Sequence, residues 1–293
     1  MKPYSPVIII YNPMSTSGKA KAKASRLQKQ LIRRKYKDVR LLESEYPGHS
    51  EVIAYETTKE YKRPLIISVS GDGGYNEVIN GALRAELETP GHQAICAIVA
   101  AGNANDHRRA TAIRPMIWAI THVKPEPIDV LRIQYGKVTR YAHSYIGIGI
   151  TGETVAQLNR EKLTRWKEIK IVTRNLLNFQ HFTIQTPERT REIDSLVFAN
   201  IHRMSKIIRV NTRTDLHDGL FNFVLIPHRT RLKFLFILIG IVVFGVKNPV
   251  LLSSYQFTLP KPQLAQLDGE AIALPAKTKI KVDVLNEALL TVR

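Results

Sequence analysis

The chain has one cysteine, Cys96, in 293 residues. That excludes an intrachain disulfide and a multi-cysteine zinc or iron–sulfur centre, and it fits a reducing compartment. Long apolar runs are also missing. The longest, Phe234 to Val246, holds thirteen residues and is interrupted by Gly240 and Gly245, whereas a helix needs roughly 20 residues to cross a bilayer. A buried core helix is expected there, with an interfacial helix as the alternative. The start, Met1-Lys2-Pro3-Tyr4-Ser5-Pro6 before Val7–Ile10, has neither the apolar length nor the cleavage site of a secretory signal. A cytoplasmic setting is expected on these grounds. Acidic residues are scarce, 25 Asp and Glu against 43 Lys and Arg, a net charge of +18. A field of that sign attracts anions, whether nucleic acid, acidic lipid or phosphorylated ligands. No zinc knuckle, RNA-recognition signature or basic zipper accompanies it, so no specific nucleic acid is expected.

What is present is globular: 44% apolar and 23% charged residues, in a chain long enough to bury a core without staples. The first 125 residues alternate in kind. Val7–Tyr11, Pro64–Val69 and Ala94–Val99 are short apolar runs of the kind that form buried parallel strands. Between them lie helical patterns. Gly18–Arg40 places Ala20, Ala24, Leu27 and Leu31 on one face and ten Lys and Arg on the others, and Asn76–Arg84 turns Val78, Ile79, Ala82 and Leu83 inward. Strand, loop and helix in repetition imply a parallel sheet with crossover helices. Prolines around Lys124–Pro127 mark a linker. Beyond it, Ile128–Gln134, Val138–Ile150, Leu196–Ile201, Leu220–Ile226, Tyr255–Leu259, Ala271–Leu274 and Lys279–Val284 read as strands of an antiparallel sandwich or barrel. Helical insertions are expected at Glu153–Phe182 and Thr230–Val246.

Ligands of an open α/β sheet sit at the carboxyl ends of its strands, and three polar loops occupy that edge. In Ser70-Gly71-Asp72-Gly73-Gly74, the glycines let backbone approach a phosphate, and the following helix offers free N–H groups. Asp72 within it would repel phosphate unless it serves a cation or a proton, although an Asp-Gly turn is ordinary by itself. Asn12–Gly18 offers hydroxyls and amides, but Gly18-Lys19-Ala20 lacks the hydroxyl of a Walker A loop. Gly102–Asp106 supplies two amides and a carboxylate, residue types equally common in turns and caps. Gly147–Gly152 reads G-x-G-x-x-G, yet it lies among antiparallel strands. Tight strand–helix packing is therefore expected there, not a dinucleotide site.

Taken in register, these loops resemble the diacylglycerol kinase catalytic family, the soluble bacterial lipid kinases and their sphingosine kinase relatives. Asn12-Pro13 with Ser17-Gly18 is similar to the family's opening N-P…S-G. Ser70-Gly71-Asp72-Gly73-Gly74-Tyr75-Asn76-Glu77-Val78-Ile79-Asn80-Gly81 resembles its G-G-D-G-T-x-N-E-V-x-N-G signature, with the initial Ser of the sphingosine kinase form. Gly102-Asn103-Ala104-Asn105-Asp106 is similar to G-T-x-N-D, Asp218-Gly219-Leu220 to D-G-L, and Leu267-Asp268-Gly269-Glu270 to D-G-E. The resemblance covers nearly the whole chain. It implies an N-terminal α/β nucleotide domain of the NAD kinase and diacylglycerol kinase type, residues 1–126. It also implies a C-terminal antiparallel β-sandwich lipid-substrate domain, residues 127–293, whose last residues pack back on the first.

The same resemblance implies phosphoryl transfer from magnesium ATP to a hydroxyl of diacylglycerol or a related lipid alcohol, at an anionic membrane surface and with peripheral membrane association. Nucleotide contacts fall to Asn12, Ser17, Gly71, Asp72, Gly73, Gly74, Asn76, Glu77, Gly102, Asn105 and Asp106. Asp72 and Asp106 join the magnesium network. Asp218, with the carbonyls of Asp215 and Leu220, matches a second, structural metal site. Either Asp268 or Asp72 is the base, and Glu270 supports it. Gly74 and Asn103 replace two family threonines, and His107 stands where an aromatic follows the N-D pair. Asp72, Asn105, Asp106, Asp268 and Glu270 remain, so activity is expected. The oligomeric state stays open, a homodimer among the options. Two other readings compete: a kinase of a soluble substrate such as NAD, and a degenerate basic protein binding membrane or nucleic acid.

Overall fold

The computed structural model describes residues 4–13, 15–112, 114–149, 180–204, 208–210, 215–246 and 249–293. It divides into two compact units, Met1–Asp129 with Asn286–Arg293, and Val130–Leu285.

The first unit alternates strand and helix: β1 (Val7–Tyr11), α1 (Lys19–Arg33), β2 (Val39–Glu43), α2 (His49–Glu60), β3 (Leu65–Ser70), α3 (Asp72–Glu88), β4 (Ile95–Ala100), α4 (Asp106–Thr111) and α5 (Met116–His122). The strands pair in parallel in the order β2-β1-β3-β4. Leu290 and Thr291 add alongside Ile95 and Cys96 of β4, also in parallel. Every residue of β1 and β3 is buried, as a sheet covered on both faces requires. Helix α1 buries Ala20, Ala24, Leu27 and Leu31, the four positions that the spacing predicts. It stops at Arg33, short of the expected Arg40, because Lys35 takes a left-handed φ of 64° and its N–H bonds back to the Ile32 carbonyl. The chain then enters β2. This edge strand has only two apolar residues beyond its first valine, and its polar Arg40 and Glu43 hid it among the charges.

The order of these strands places the site. From β1 the chain goes to β2 on one side, then crosses to β3 on the other. Ligands bind at the carboxyl ends of strands flanking such a reversal. The chain leaves β1 and β3 side by side there, where the Asn12 N–H reaches the Val69 carbonyl of β3 at 3.5 Å.

The second unit is antiparallel. Its strands are β5 (Glu126–Tyr135), which continues from the first unit, β6 (Val138–Ala142), β7 (Tyr145–Gly149), β8 (Phe182–Gln185), β9 (Thr190–Ala199), β10 (Arg203–Met204), β11 (Ile208–Arg209), β12 (Phe221–Pro227), β13 (Val250–Leu252), β14 (Ser254–Thr258), β15 (Gln263–Leu267), β16 (Glu270–Leu274) and β17 (Lys279–Thr291), whose end belongs to the first unit. The proline stretch read as a linker instead opens β5, with Pro127 as its second residue. The run Val138–Ile150 breaks at His143 and Ser144 into β6 and β7. Strand β7 pairs antiparallel with β9 and β15, so Gly147 and Gly149 sit in a sheet with no βαβ setting. The core gathers around Phe198, whose ring meets Phe221 edge-on at 5.4 Å and stands 5.7 Å from Phe223. Of the expected helical insertion Glu153–Phe182, residues 153–179 lie outside the described residues, and Phe182 instead opens β8. The one at Thr230–Val246 is α6 (Arg231–Phe244).

That helix corrects an expectation. Only Phe234 of α6 is buried. Leu232, Leu235, Phe236, Ile239, Val242, Val243 and Phe244 are all exposed. Its apolar residues run all the way round, whereas the seat beneath it is narrow: Val224 and Ile226 of β12, with β11 also in contact.

Candidate functional site

In the first unit the glycines work by proximity, not by unusual backbone angles. Gly71 has φ −86° and ψ −172°, which any residue adopts. A Cβ on Gly71 would lie 3.1 Å from the Gly102 Cα, and one on Gly102 would lie 2.2 Å from the Gly71 Cα. The loops after β3 and β4 therefore meet backbone to backbone, and the Ala101 N–H bonds to the Ser70 carbonyl at 2.8 Å. The expected loop Ser70–Gly74 is shorter than its composition suggested. Helix α3 begins at Asp72, so Gly73 and Gly74 form its first turn. Poor helix formers are tolerated there because the first N–H groups need no intrahelical partner, and a carboxylate at the start complements the helix dipole.

Asp72 ties the two loops together. Its Oδ2 accepts the Asp106 N–H at 2.9 Å and its Oδ1 the His107 N–H at 3.1 Å. These are the first amides of α4. Asn105 precedes them in a left-handed conformation, φ 53°, which asparagine tolerates better than most residues. Its Oδ1 accepts the Gly102 N–H at 2.9 Å and its Nδ2 donates to the Gly102 carbonyl at 2.7 Å. Asp106 and His107 are buried, and the His107 ring lies 5.5 Å from that of Tyr75. Burial pulls the Arg108 guanidinium of α4 below its ordinary value, with Tyr75 opposing. One cation escaped the sequence reading. Lys23 was counted only in the basic face of α1, yet its Nζ donates to the Ala100 carbonyl at 2.8 Å, at the end of β4. Its place beside buried Ala24 was the available signal.

The second half of the signature is architectural. Glu77 accepts the N–H groups of Gly48 at 2.9 Å and Ser50 at 3.2 Å, and so holds the start of α2. Asn80 donates to the carbonyl and side-chain oxygens of Asn76. A Cβ on Gly81 would lie 2.1 Å from the Glu51 carbonyl oxygen of α2. Asn12 is half-buried, and its carbonyl accepts the Ser15 N–H. Ser17 lies in the 3-10 turn Ser15–Gly18 that leads into α1.

In the second unit, Asp268 and Gly269 form a two-residue hairpin turn. Both have positive φ, 50° and 97°, and Leu267 faces Glu270 across the turn, the geometry that favours Asp-Gly. Asp268 is fully buried. Its Oδ1 accepts the N–H groups of Ser144 and Tyr145, and its Oδ2 that of His143 at 2.7 Å. The His143 Nε2 lies 3.3 Å from the same Oδ2, and its Nδ1 is 2.7 Å from the Ser144 hydroxyl. The carboxylate thus secures the bend between β6 and β7. Half-buried Glu270 opens β16. Asp218 accepts the Asp215 and Leu220 N–H groups, both at 3.0 Å, so this turn closes on amides.

A nucleotide and a hard cation suit the first of these arrangements. A cradle with no room for Cβ atoms exposes amides at the start of α3, and Asp72 and Asp106 stand beside it. Among the described residues no three His, Cys, Asp or Glu side chains gather as a ligand cluster, and magnesium carried by phosphates and one or two carboxylates needs none.

A parallel α/β unit with glycine-paired phosphate-type loops at its topological switch, joined to an antiparallel unit, defines a narrow class. Residues 6–133, under half of the chain, match the diacylglycerol kinase catalytic domain. A Bacillus subtilis protein named "Putative lipid kinase YtlR" is 34% identical over 135 residues, 42% of this chain and 41% of that protein. The matched segment thus spans well under half of this curated relative. The fold extends further. A crystal structure of a "putative diacylglycerol kinase" from Bacillus anthracis superposes with a TM-score of 0.74 at 18% identity, covering 100% of this chain and 98% of that one. A second structure from that organism, described as a diacylglycerol kinase, gives 0.70 at 16% identity with the same coverage.

Proposed function

We propose that the chain is an ATP-dependent lipid kinase, transferring the terminal phosphoryl group of magnesium ATP to a hydroxyl of diacylglycerol or a related lipid alcohol at an anionic membrane surface. One observation carries this reading: Gly71 and Gly102 in backbone contact, with the Asp72 carboxylate bridging from α3 to the first amides of α4. Magnesium ATP, when bound, supplies the phosphoryl group and neutralises its developing charge. The amides of Gly71, Gly73 and Gly74 hold its phosphates at the dipole end of α3. Asn12, Ser17, Gly102 and Asn105 line the loops, Lys23 adds a cation, and Asp72 and Asp106 orient the magnesium. In the transfer a bond forms from the lipid oxygen to phosphorus, the bond to the β-phosphate oxygen breaks, and the hydroxyl proton passes to a carboxylate. Half-buried Asp72 is the carboxylate a hydroxyl can reach. Asp268, enclosed by four nitrogen atoms, acts as a positioning residue, with Glu270 beside it.

The test is transfer from labelled ATP to diacylglycerol in mixed micelles, with NAD as the competing acceptor. Asp72→Asn is expected to lose about a hundredfold or more in kcat while remaining folded, with a modestly lower melting temperature because an amide keeps one of the two oxygens that hold the first amides of α4. Asp268→Asn is expected to lower both, because an amide offers one acceptor oxygen where the carboxylate uses two. Full activity of Asp72→Asn, or transfer to NAD alone, would overturn the reading.

A further inference from the structure

Helix α6 has only two polar side chains, Arg231 and Lys233, both at its start. Phe234, 6% exposed, and half-buried Ile237, Leu238 and Ile241 face inward, against Val224 and Ile226 of β12. The remaining large side chains face out: Phe236 is 65% exposed, Val243 64% and Phe244 65%. Strand β13, which follows and pairs with β12, adds exposed Leu251, which lies opposite Asn222 on the same face as Val224 and Ile226. A contiguous apolar surface of this kind on a soluble unit marks a docking face. At 14 residues α6 is about 21 Å long, well short of the roughly 30 Å of bilayer hydrocarbon, and no described helix is long and apolar enough to cross a membrane.

Charge names the occupant. From Gly219 to Leu267 the sequence contains no Asp or Glu, while it carries Arg229, Arg231, Lys233, Lys247 and Lys261. Arg229, Arg231 and Lys233 are exposed and form a cationic collar at the start of α6. Two carboxylates of β9 lie beside it: Asp194 is buried and engaged by the His228 ring and the Arg229 N–H, and Glu192 stands 3.9 Å from His181. A second copy of the chain, docking isologously, would set this predominantly cationic patch against itself. An anionic bilayer supplies both an apolar interior and negative headgroups, each nearby Lys or Arg adding attraction. Interfacial helices ordinarily carry their own polar face; here β12 covers that side instead.

We propose that the outward face of α6, with the Arg229–Lys233 collar, is a docking surface for anionic phospholipid bilayers on which the helix lies in the membrane plane. This deepens the lipid-kinase reading by naming the surface that meets the substrate's bilayer, and it is tested without nucleotide so that the two fail separately. The full chain is floated with vesicles of phosphatidylcholine containing about one third phosphatidylserine, and with phosphatidylcholine alone. Wild type is expected to partition into the anionic vesicles. The double variant Phe236→Glu, Val243→Glu is expected to lose at least about tenfold of that partition at an unchanged melting temperature, while its activity on a soluble short-chain diacylglycerol stays within about twofold. Arg231→Gln with Lys233→Gln should abolish the preference for anionic over neutral vesicles. Leu87→Glu, which alters an exposed leucine on α3, should change nothing. Equal partition of wild type and the double variant would overturn the proposal. So would a wild-type dimer that the double variant dissolves without any vesicle binding. Loss of catalysis with vesicle binding intact would count against the kinase reading alone.

Discussion

Gly74 stands where the family signature carries threonine, and the change has a partner four residues earlier. A Cβ at position 74 would lie 2.7 Å from the Ser70 Oγ and 2.8 Å from its Cβ. The signature has glycine at the first position, where this chain has Ser70. The hydroxyl-bearing side chain has moved from the first turn of α3 to the end of β3, and the two positions cannot both be large. Ser70 is buried, with its Oγ 2.7 Å from that of Ser68 and donating to the Gly71 carbonyl. Gly74→Thr alone is expected to destabilise by about 1–3 kcal/mol through overpacking. In a Ser70→Gly background most of that loss should return, a coupling of roughly 1 kcal/mol or more. Urea midpoints of the four proteins decide it, and additive effects would show that the exchange is accidental. Both residue identities were legible in the sequence. That they compete for one volume was not, because the competition runs from a strand end to a helix turn.

Helix α3 shows how one sequence signature serves two purposes. Its first turn presents Asp72 and the glycine amides to the loops, while Glu77 and Gly81 organise α2. The sequence reading assigned Glu77 to the nucleotide, and the structure has it holding the amides of Gly48 and Ser50. Gly81→Ala gains roughly 1 kcal/mol in helix propensity, but the new methyl group meets the Glu51 carbonyl oxygen, which is backbone and cannot swing aside. A net destabilisation of about 1–3 kcal/mol is expected, read as a lower thermal midpoint, and an unchanged or higher midpoint would refute the close packing. Helix α2 itself was invisible in the sequence. It buries Ser50, Glu51, Thr57 and Thr58 beside Ile53 and Ala54, so no clean apolar stripe announces it. In α6 the reverse holds. Its apolar run was obvious, but with hydrophobic residues on every face nothing in the pattern tells which side is covered.

At the scale of the whole molecule, one carboxyl group sets a pH dependence. Burial raises Glu86 from its usual 4.5 to about 7, with the Ala94 N–H that it accepts pulling the other way. Between these two values the unfolded chain releases this proton while the folded one retains it. Glu86 thus contributes its full stability below about pH 4.5, and that contribution is lost as the pH rises through 7. Glu86→Gln keeps an acceptor for Ala94 and cannot ionise. It is expected to raise stability at pH 8 by roughly 1–3 kcal/mol, with little change near pH 4, as measured by denaturant midpoints across that range. A parallel fall in wild type and variant would remove Glu86 as the cause. The same buried region holds Cys96, whose thiol is pushed well above its usual value, by burial first and by Glu86 second.

The sequence by itself determined the alternation of β1, β3 and β4 with α1 and α3, the antiparallel character of the second half, and the register of motifs that resembles the diacylglycerol kinase catalytic family. Each of these rests on residues within a few positions of one another, where periodicity, turn chemistry and spacing act. Tertiary structure alone decided that Gly71 and Gly102 touch, that Asp268 is sealed beneath the bend at His143 and Ser144, that Lys23 caps β4, and that α6 leaves its outer face uncovered. Those are contacts and burials between segments far apart along the chain. Pattern within a segment cannot specify them, because they depend on what the rest of the fold places opposite.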